Sequence, residues 1–120
     1  MTRILVVDDS AAMREMIRIG LSEAGFLVTE AADGRQALDL ARQANFDLVL
    51  SDVHMPNMDG IALIRALRTD PAYRHTPILM LTTESSPERK REGKQAGATG
   101  WIVKPFDPQQ LIATMQRVLG

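Results

Sequence analysis

The chain has no cysteine, which rules out disulfides and thiolate-bound metals and suits a reducing cytosol. It has no dominant sign of charge. A formal net charge of -1 speaks against a nucleic-acid surface or a polybasic membrane anchor. It has no long apolar run: no stretch approaches the ~20 residues needed to span a bilayer. The start, Met1-Thr2-Arg3, leads into only four apolar residues before the acids begin, too short for a signal-peptide core. Repeats, low-complexity tracts and linkers are missing too. What remains is 120 residues with 45% hydrophobic and 24% charged content, the balance of an ordinary globular chain. The expectation is one soluble, cytoplasmic domain over residues 1–120 with a single core, with no membrane and no nucleic acid among its partners.

Four short apolar runs each stop on a residue able to do phosphate or metal chemistry. Ile4-Leu5-Val6-Val7 stops on Asp8-Asp9, and Leu48-Val49-Leu50-Ser51 on Asp52. Ile78-Leu79-Met80-Leu81 stops on Thr82, and Trp101-Ile102-Val103 on Lys104. Strands of a parallel sheet are buried on both faces and read as near-continuous apolar runs, and ligands bind outside their carboxyl ends. Four such ends gather three carboxylates, a hydroxyl and an ammonium around one crevice, an arrangement that suits a cation and a phosphoryl group.

Between these runs lie helical patterns. Ser10 caps a helix with apolar positions at Met13, Met16, Ile17, Leu21 and Ala24, which ends at Gly25. Phe26 to Ala31 reads as a second strand, at a sheet edge because Thr29 and Glu30 are polar. Asp33-Gly34 opens a helix through Ala37, Leu38 and Ala41. The third strand spans Asp47 to Ser51. The loop Met55-Pro56-Asn57-Met58-Asp59-Gly60 then leads into a helix from Ile61 to Leu67. Pro87 to Ala96 is almost wholly polar with Gly93 inside, so little burial holds it and it should be the most mobile helix. The fifth strand runs from about Thr99 to Val103. Asp107 and Pro108 start the last helix, with Leu111, Ile112, Met115, Val118 and Leu119 on one face. Strict strand–helix alternation implies an α/β fold, a parallel sheet covered on both faces by right-handed crossovers.

Each candidate residue also has a plainer reading. Acids at strand-to-helix junctions favour the positive end of the next helix, which accounts for Asp8 or Asp9 alone. Asp before a turn is common, which accounts for Asp52 alone. As a cluster they need more. Two carboxylates ~4 Å apart repel by about 4 kcal/mol at an effective dielectric near 20, so three demand a cation or protonation. Mg²⁺ fits, because it binds through one or two carboxylates, keeps several waters and accepts phosphate oxygens. Lys104 is either a snorkelling surface residue or a fixed counter-charge for phosphoryl oxygens. Thr82 is either a strand-end cap for Glu84 or a donor across the crevice. Trp101 is a packing aromatic or part of a switch. Arg89, Lys90, Arg91 and Lys94 form either a solvated basic face or a partner surface.

The acidic pair Asp8-Asp9, Asp52 with the following Met55–Gly60 loop, Thr82, and Lys104-Pro105-Phe106 resemble the receiver domains of bacterial two-component response regulators. The resemblance covers essentially the whole chain and is greatest to the single-domain, CheY-like chemotaxis type. It implies a doubly wound, flavodoxin-like (βα)5 fold with strand order 2-1-3-4-5. It implies that Asp52 accepts a phosphoryl group from a sensor histidine kinase. Asp9 would bind Mg²⁺ directly, Asp8 largely through water, and the backbone carbonyl of His54 would complete the protein's ligands. Lys104 would pair with phosphoryl oxygens and Thr82 would swing toward them, freeing space under Trp101. Trp101, Lys90 and Lys94 would form the partner face of a monomer whose target is a protein such as a flagellar-motor component. A cis Lys104–Pro105 bond is a feature of relatives. A phosphate sink and a phosphorelay intermediate use the same site.

Three points set this chain apart. Trp101 is bulkier than the usual Tyr or Phe, which bears on its rotation. Thr83 stands where relatives often carry a smaller residue, which would restrict access to Asp52. His54 and Glu84, each two residues past a key group, are placed to influence water attack, while His75 reads as an ordinary loop residue. A Mg²⁺-dependent phosphohydrolase of the haloacid-dehalogenase type is the rival reading. Its Asp-x-Asp motif does not follow the first strand here, and no room remains for a substrate-selecting cap.

Overall fold

The computed structural model describes residues 1–120. Strands β1 (Arg3–Val7), β2 (Leu27–Ala31), β3 (Leu48–Ser51), β4 (Ile78–Thr82) and β5 (Gly100–Val103) alternate with five helices. These are α1 (Ala11–Glu23), α2 (Gly34–Gln43), α3 (Gly60–Arg68), α4 (Pro87–Ala96) and α5 (Pro108–Leu119), with a 3₁₀ turn at Pro71–Tyr73. All strands are parallel in the order β2-β1-β3-β4-β5, the doubly wound arrangement expected.

Period-two alternation within the strands divides the core in two. Leu5, Val7, Val49, Ile78 and Met80 face α2 and α3, where Ala37, Leu38, Ile61, Ile64 and Leu67 meet them. Ile4, Val6, Leu48, Leu50, Leu79 and Leu81 face α1 and α5, against Ile17, Leu21, Leu111 and Met115. β2 lies at the edge, with Leu27 exposed and Thr29 and Glu30 half-buried, as its polar residues implied. Helix starts are capped by side chains: Ser10, Asp33, Asp59, Ser86 and Asp107 each accept a backbone N–H from the first turn. Asn57 takes the left-handed backbone (φ 69°) and donates through Nδ2 to Asp33 at 2.8 Å, tying the Met55–Gly60 loop to the α2 cap.

Several expectations shift. Met16 is half exposed and Ala24 is the exposed cap residue, because α1 fully buries only Ile17 and Leu21. The second, third and fifth strands begin one residue later than read, at Leu27, Leu48 and Gly100. The 3₁₀ turn was not foreseen. It sends Tyr73 into the core, where its hydroxyl donates toward the carbonyls of Ala41 (2.7 Å) and Ala44 (2.6 Å). α4 is polar as read and buries only Gly93. Its C-terminal end is fastened by Arg68, whose guanidinium donates to the carbonyls of Gly97, Tyr73 and Thr76. Burial lowers the pKa of that guanidinium.

Candidate functional site

The ladder continues one step past the strand ends. Asp8 N–H donates to the Ala31 carbonyl, Asp52 N–H to Val7, and Lys104 N–H to Thr82, at 3.1, 2.9 and 2.8 Å. Residues that follow neighbouring strands are thereby set side by side at one edge of the sheet. Carboxylate oxygens of Asp8, Asp9 and Asp52 lie within 4.8 Å of one another. Lys104 Nζ sits between two of them, 2.7 Å from Asp8 Oδ2 and 3.1 Å from Asp52 Oδ2. The Lys104–Pro105 bond is cis.

The rest of the crevice is asymmetric. Asp52 is buried and its Oδ1 accepts the N–H groups of Val53 (2.6 Å) and His54 (3.3 Å). Asp8 is buried as well. Its Oδ1 accepts Ser10 N–H at 2.9 Å and its carbonyl accepts from Arg14. Asp9 is exposed. Burial pulls the Lys104 ammonium toward a lower pKa, but hydrogen bonds and charge from Asp8 and Asp52 outweigh it, and the net shift is upward.

Three carboxylates against one ammonium leave the crevice two negative charges in excess. A divalent cation balances that charge, and the all-oxygen donor set is the one a hard ion prefers. The His54 imidazole points elsewhere: its Nε2 lies 2.9 Å from Glu84 Oε1.

Around the site, Thr82 is fully buried and its Oγ1 accepts the N–H of Glu84 at 3.1 Å, so here it acts as the cap of the plainer reading. Thr83 and His75 are exposed. Trp101 is half-buried, with Nε1 donating to the Glu84 carbonyl at 2.9 Å and its six-membered ring lying on Gly93. Lys90 and Lys94 are exposed and line one surface groove together with Trp101. Sequence reasoning named Glu84 but missed its extent, since its carboxylate also accepts Ser86 N–H at 3.1 Å. Those N–H donors, Ser86 first and then His54, lower its pKa.

Against known families, residues 4–116 match the response regulator receiver domain. The chain belongs to that family. A receiver domain is a phosphorylation-dependent signalling switch of two-component systems, distinct from a turnover enzyme. This receiver domain is 42% identical to the chemotaxis protein CheY of Pseudomonas aeruginosa, over 97% of the chain and 94% of the relative. The crystal structure of the Vibrio cholerae chemotaxis protein CheY4 matches with a TM-score of 0.94 and 54% identity, covering 98% of both chains. A third match is the receiver domain of a P. aeruginosa sensor histidine kinase, at 32% identity and a TM-score of 0.92 over 99% of this chain and 98% of that one. Its structure holds a magnesium ion coordinated in the active-site cleft. No helix here is long and apolar enough to cross a membrane.

Proposed function

We propose that Asp52 is the phosphoacceptor of a cytoplasmic, monomeric chemotaxis switch, phosphorylated by a sensor histidine kinase and read by a protein of the flagellar-motor type. The observation that carries this reading is the Lys104 ammonium held between Asp8 and Asp52. Asp8, Asp9, Asp52 and the His54 backbone carbonyl would hold Mg²⁺, which when bound neutralises charge on the transferring group. An Asp52 carboxylate oxygen attacks phosphorus while the P–N bond to the kinase histidine breaks. The imidazole leaves with the electron pair. Lys104 then exchanges its contact with Asp52 for the incoming phosphoryl oxygens, remaining anchored on Asp8. Thr82, one strand away, donates the hydrogen of its hydroxyl to the same oxygens, its Oγ1 being the acceptor of the Glu84 N–H in this structure. The domain acts on its own acyl phosphate only, forming it and exposing it to water.

The output face in this reading is α4 with Trp101, Lys90 and Lys94. The chemotaxis relatives support a chemotaxis setting for that output; a phosphate sink and a phosphorelay intermediate use the same site. Incubation with Mg²⁺ and acetyl phosphate, followed by intact-mass analysis, tests the reading. One phosphoryl group per chain is expected, absent from Asp52→Asn. Continuous turnover of a small phosphate ester would instead place the chain with the phosphohydrolases, and wild-type labelling retained in Asp52→Asn would remove Asp52 from its role.

A further inference from the structure

Every polar atom of Asp8 has a partner. Its N–H donates to the Ala31 carbonyl at the end of β2, its Oδ1 accepts Ser10 N–H, and its Oδ2 accepts Lys104 Nζ. Its carbonyl accepts Arg14 Nη1 at 2.5 Å, from the first turn of α1. The Asp9 carboxylate has no comparable bond and is exposed. Its direction is set by the backbone. The Asp8 carbonyl and the Asp9 N–H share one rigid peptide plane, so whatever fixes the carbonyl also fixes the start of Asp9.

Arg14 is itself held. Its Nε lies 3.3 Å from Glu30 Oε1 on β2, and Arg18 Nε, one turn further along α1, lies 3.3 Å from Glu30 Oε2. Arg18 also reaches Glu15 at 3.9 Å. The Arg14 and Glu30 side chains are only 17% and 33% exposed, so water screens their contact less than that of an ordinary surface pair. Two guanidiniums meet two carboxylates, and the network is neutral. Glu30, whose polarity marked β2 as an edge strand, thus also balances the charge beside the crevice. A free guanidinium here would repel a cation; one cancelled by Glu30 can donate to the Asp8 carbonyl without that effect.

Building on the Mg²⁺ reading of the crevice, we propose that Arg14 is a positioning residue of the cation site: it locks the Asp8–Asp9 peptide so that Asp9 stays presented beside Asp52, and Glu30 holds and neutralises it. The bond from a guanidinium to a backbone carbonyl is charge-assisted and directional. With that bond gone the peptide plane is free to turn, and the ordering of Asp9 then opposes cation binding. Arg14 acts through Asp9, not on the cation.

The test measures urea stability in chelator and over a titration with MgCl₂, because the rise with Mg²⁺ gives the affinity independently of the baseline. Asp52 labelling by acetyl phosphate is followed by mass in parallel. Arg14→Met is expected to weaken Mg²⁺ binding about tenfold, with labelling recovered at saturating Mg²⁺. Arg14→Lys keeps a charged donor and should return to within about threefold of the wild type. Glu30→Gln keeps an acceptor for Arg14 but not the charge, and should weaken Mg²⁺ about threefold at low salt and less at high salt. Arg18→Met removes the other guanidinium of the network and should leave the affinity within about twofold. Binding as tight as the wild type, or tighter, in Arg14→Met overturns the proposal, because Arg14 would then be only a repelling charge. Lower stability in chelator with an unchanged rise in Mg²⁺ overturns it too, as the mark of a purely structural ion pair. Arg14→Lys no better than Arg14→Met, or Arg18→Met as weak as Arg14→Met, removes the carbonyl bond as the cause. An unchanged Glu30→Gln overturns the neutralising role. A wild type with no Mg²⁺-dependent rise overturns the Mg²⁺ reading and the proposal with it, whereas one that binds Mg²⁺ without labelling at Asp52 overturns the phosphoacceptor reading alone.

Discussion

Replacing Gly93 with alanine sets two ordinary effects against each other. In the interior of an exposed helix the change stabilises by up to ~1 kcal/mol, because glycine loses more backbone entropy on folding. At Gly93 the new methyl would stand 2.5 Å from Trp101 Cζ3 and 3.2 Å from Cε3, well inside the ~3.5–4.0 Å of comfortable carbon contact. The ring is rigid and its N–H is bound to the Glu84 carbonyl, so it must move by roughly 1 Å or α4 must lift. Overpacking of this kind costs about 1–3 kcal/mol, and loss of the indole hydrogen bond costs about 1 kcal/mol more. The net expectation is destabilisation by about 1–3 kcal/mol, a fall of roughly 1 M in the urea midpoint. Tryptophan emission should shift to the red. Gly20→Ala is the control: it lies in α1 and a Cβ there meets nothing within 4 Å, so it should stabilise. A Gly93→Ala protein as stabilised as Gly20→Ala, with unchanged emission, would refute the packing of Trp101 on α4.

Lys104→Met leaves Asp8 and Asp52 facing one another without their shared cation. It should destabilise by roughly 3 kcal/mol in chelator, with Mg²⁺ restoring more of the lost urea midpoint than it adds to the wild type, and it should abolish acetyl-phosphate labelling. Because the Lys104 pKa is raised in the folded state, its contribution is complete below the ordinary lysine value of ~10.4 and fades as pH climbs through the raised one. The stability gap between wild type and Lys104→Met should therefore hold steady from pH 7 to 9 and close in the alkaline range; a gap that closed below pH 9 would contradict the ion pair. Tyr73→Phe removes a buried hydroxyl that serves the carbonyls closing α2, and should cost roughly 1–2 kcal/mol by urea denaturation without altering Asp52 labelling.

The sheet and the crevice were legible in the sequence for one physical reason. A central parallel strand is buried on both faces, so its apolar run is unbroken until the chain leaves the sheet, and the first polar residue marks the crevice edge. Asp8 and Thr82 were located in this way, Asp52 one residue past the buried Ser51, and Lys104 at the end of β5, an apolar but half-buried edge strand. The caps were legible too, because Ser10, Asp33 and Asp107 carry the one side-chain oxygen that a helix start requires. What escaped rests on bonds without periodicity. Arg68 serves carbonyls from two separate segments, and Glu84 joins four, yet neither pattern has any spacing to read. The exposure of Met16 was hidden because its neighbour Ile17 occupies the buried side of α1. The position of the Trp101 ring depends on a glycine eight residues earlier, whose vacancy only the folded chain reveals.

Arg68 has a mechanical consequence. Its grip on the Gly97 carbonyl nails down the far end of α4, whereas the near end hangs on the Ser86 cap. A rod of ten residues, about 15 Å long, anchored so unequally behaves as a lever with its fulcrum at Gly97. A tilt of only ~10° carries the free tip through roughly 2–3 Å while the fulcrum stays put. Displacement is thus largest beside the crevice, and any protein seated along the rod senses a graded change from Glu88 to Lys94.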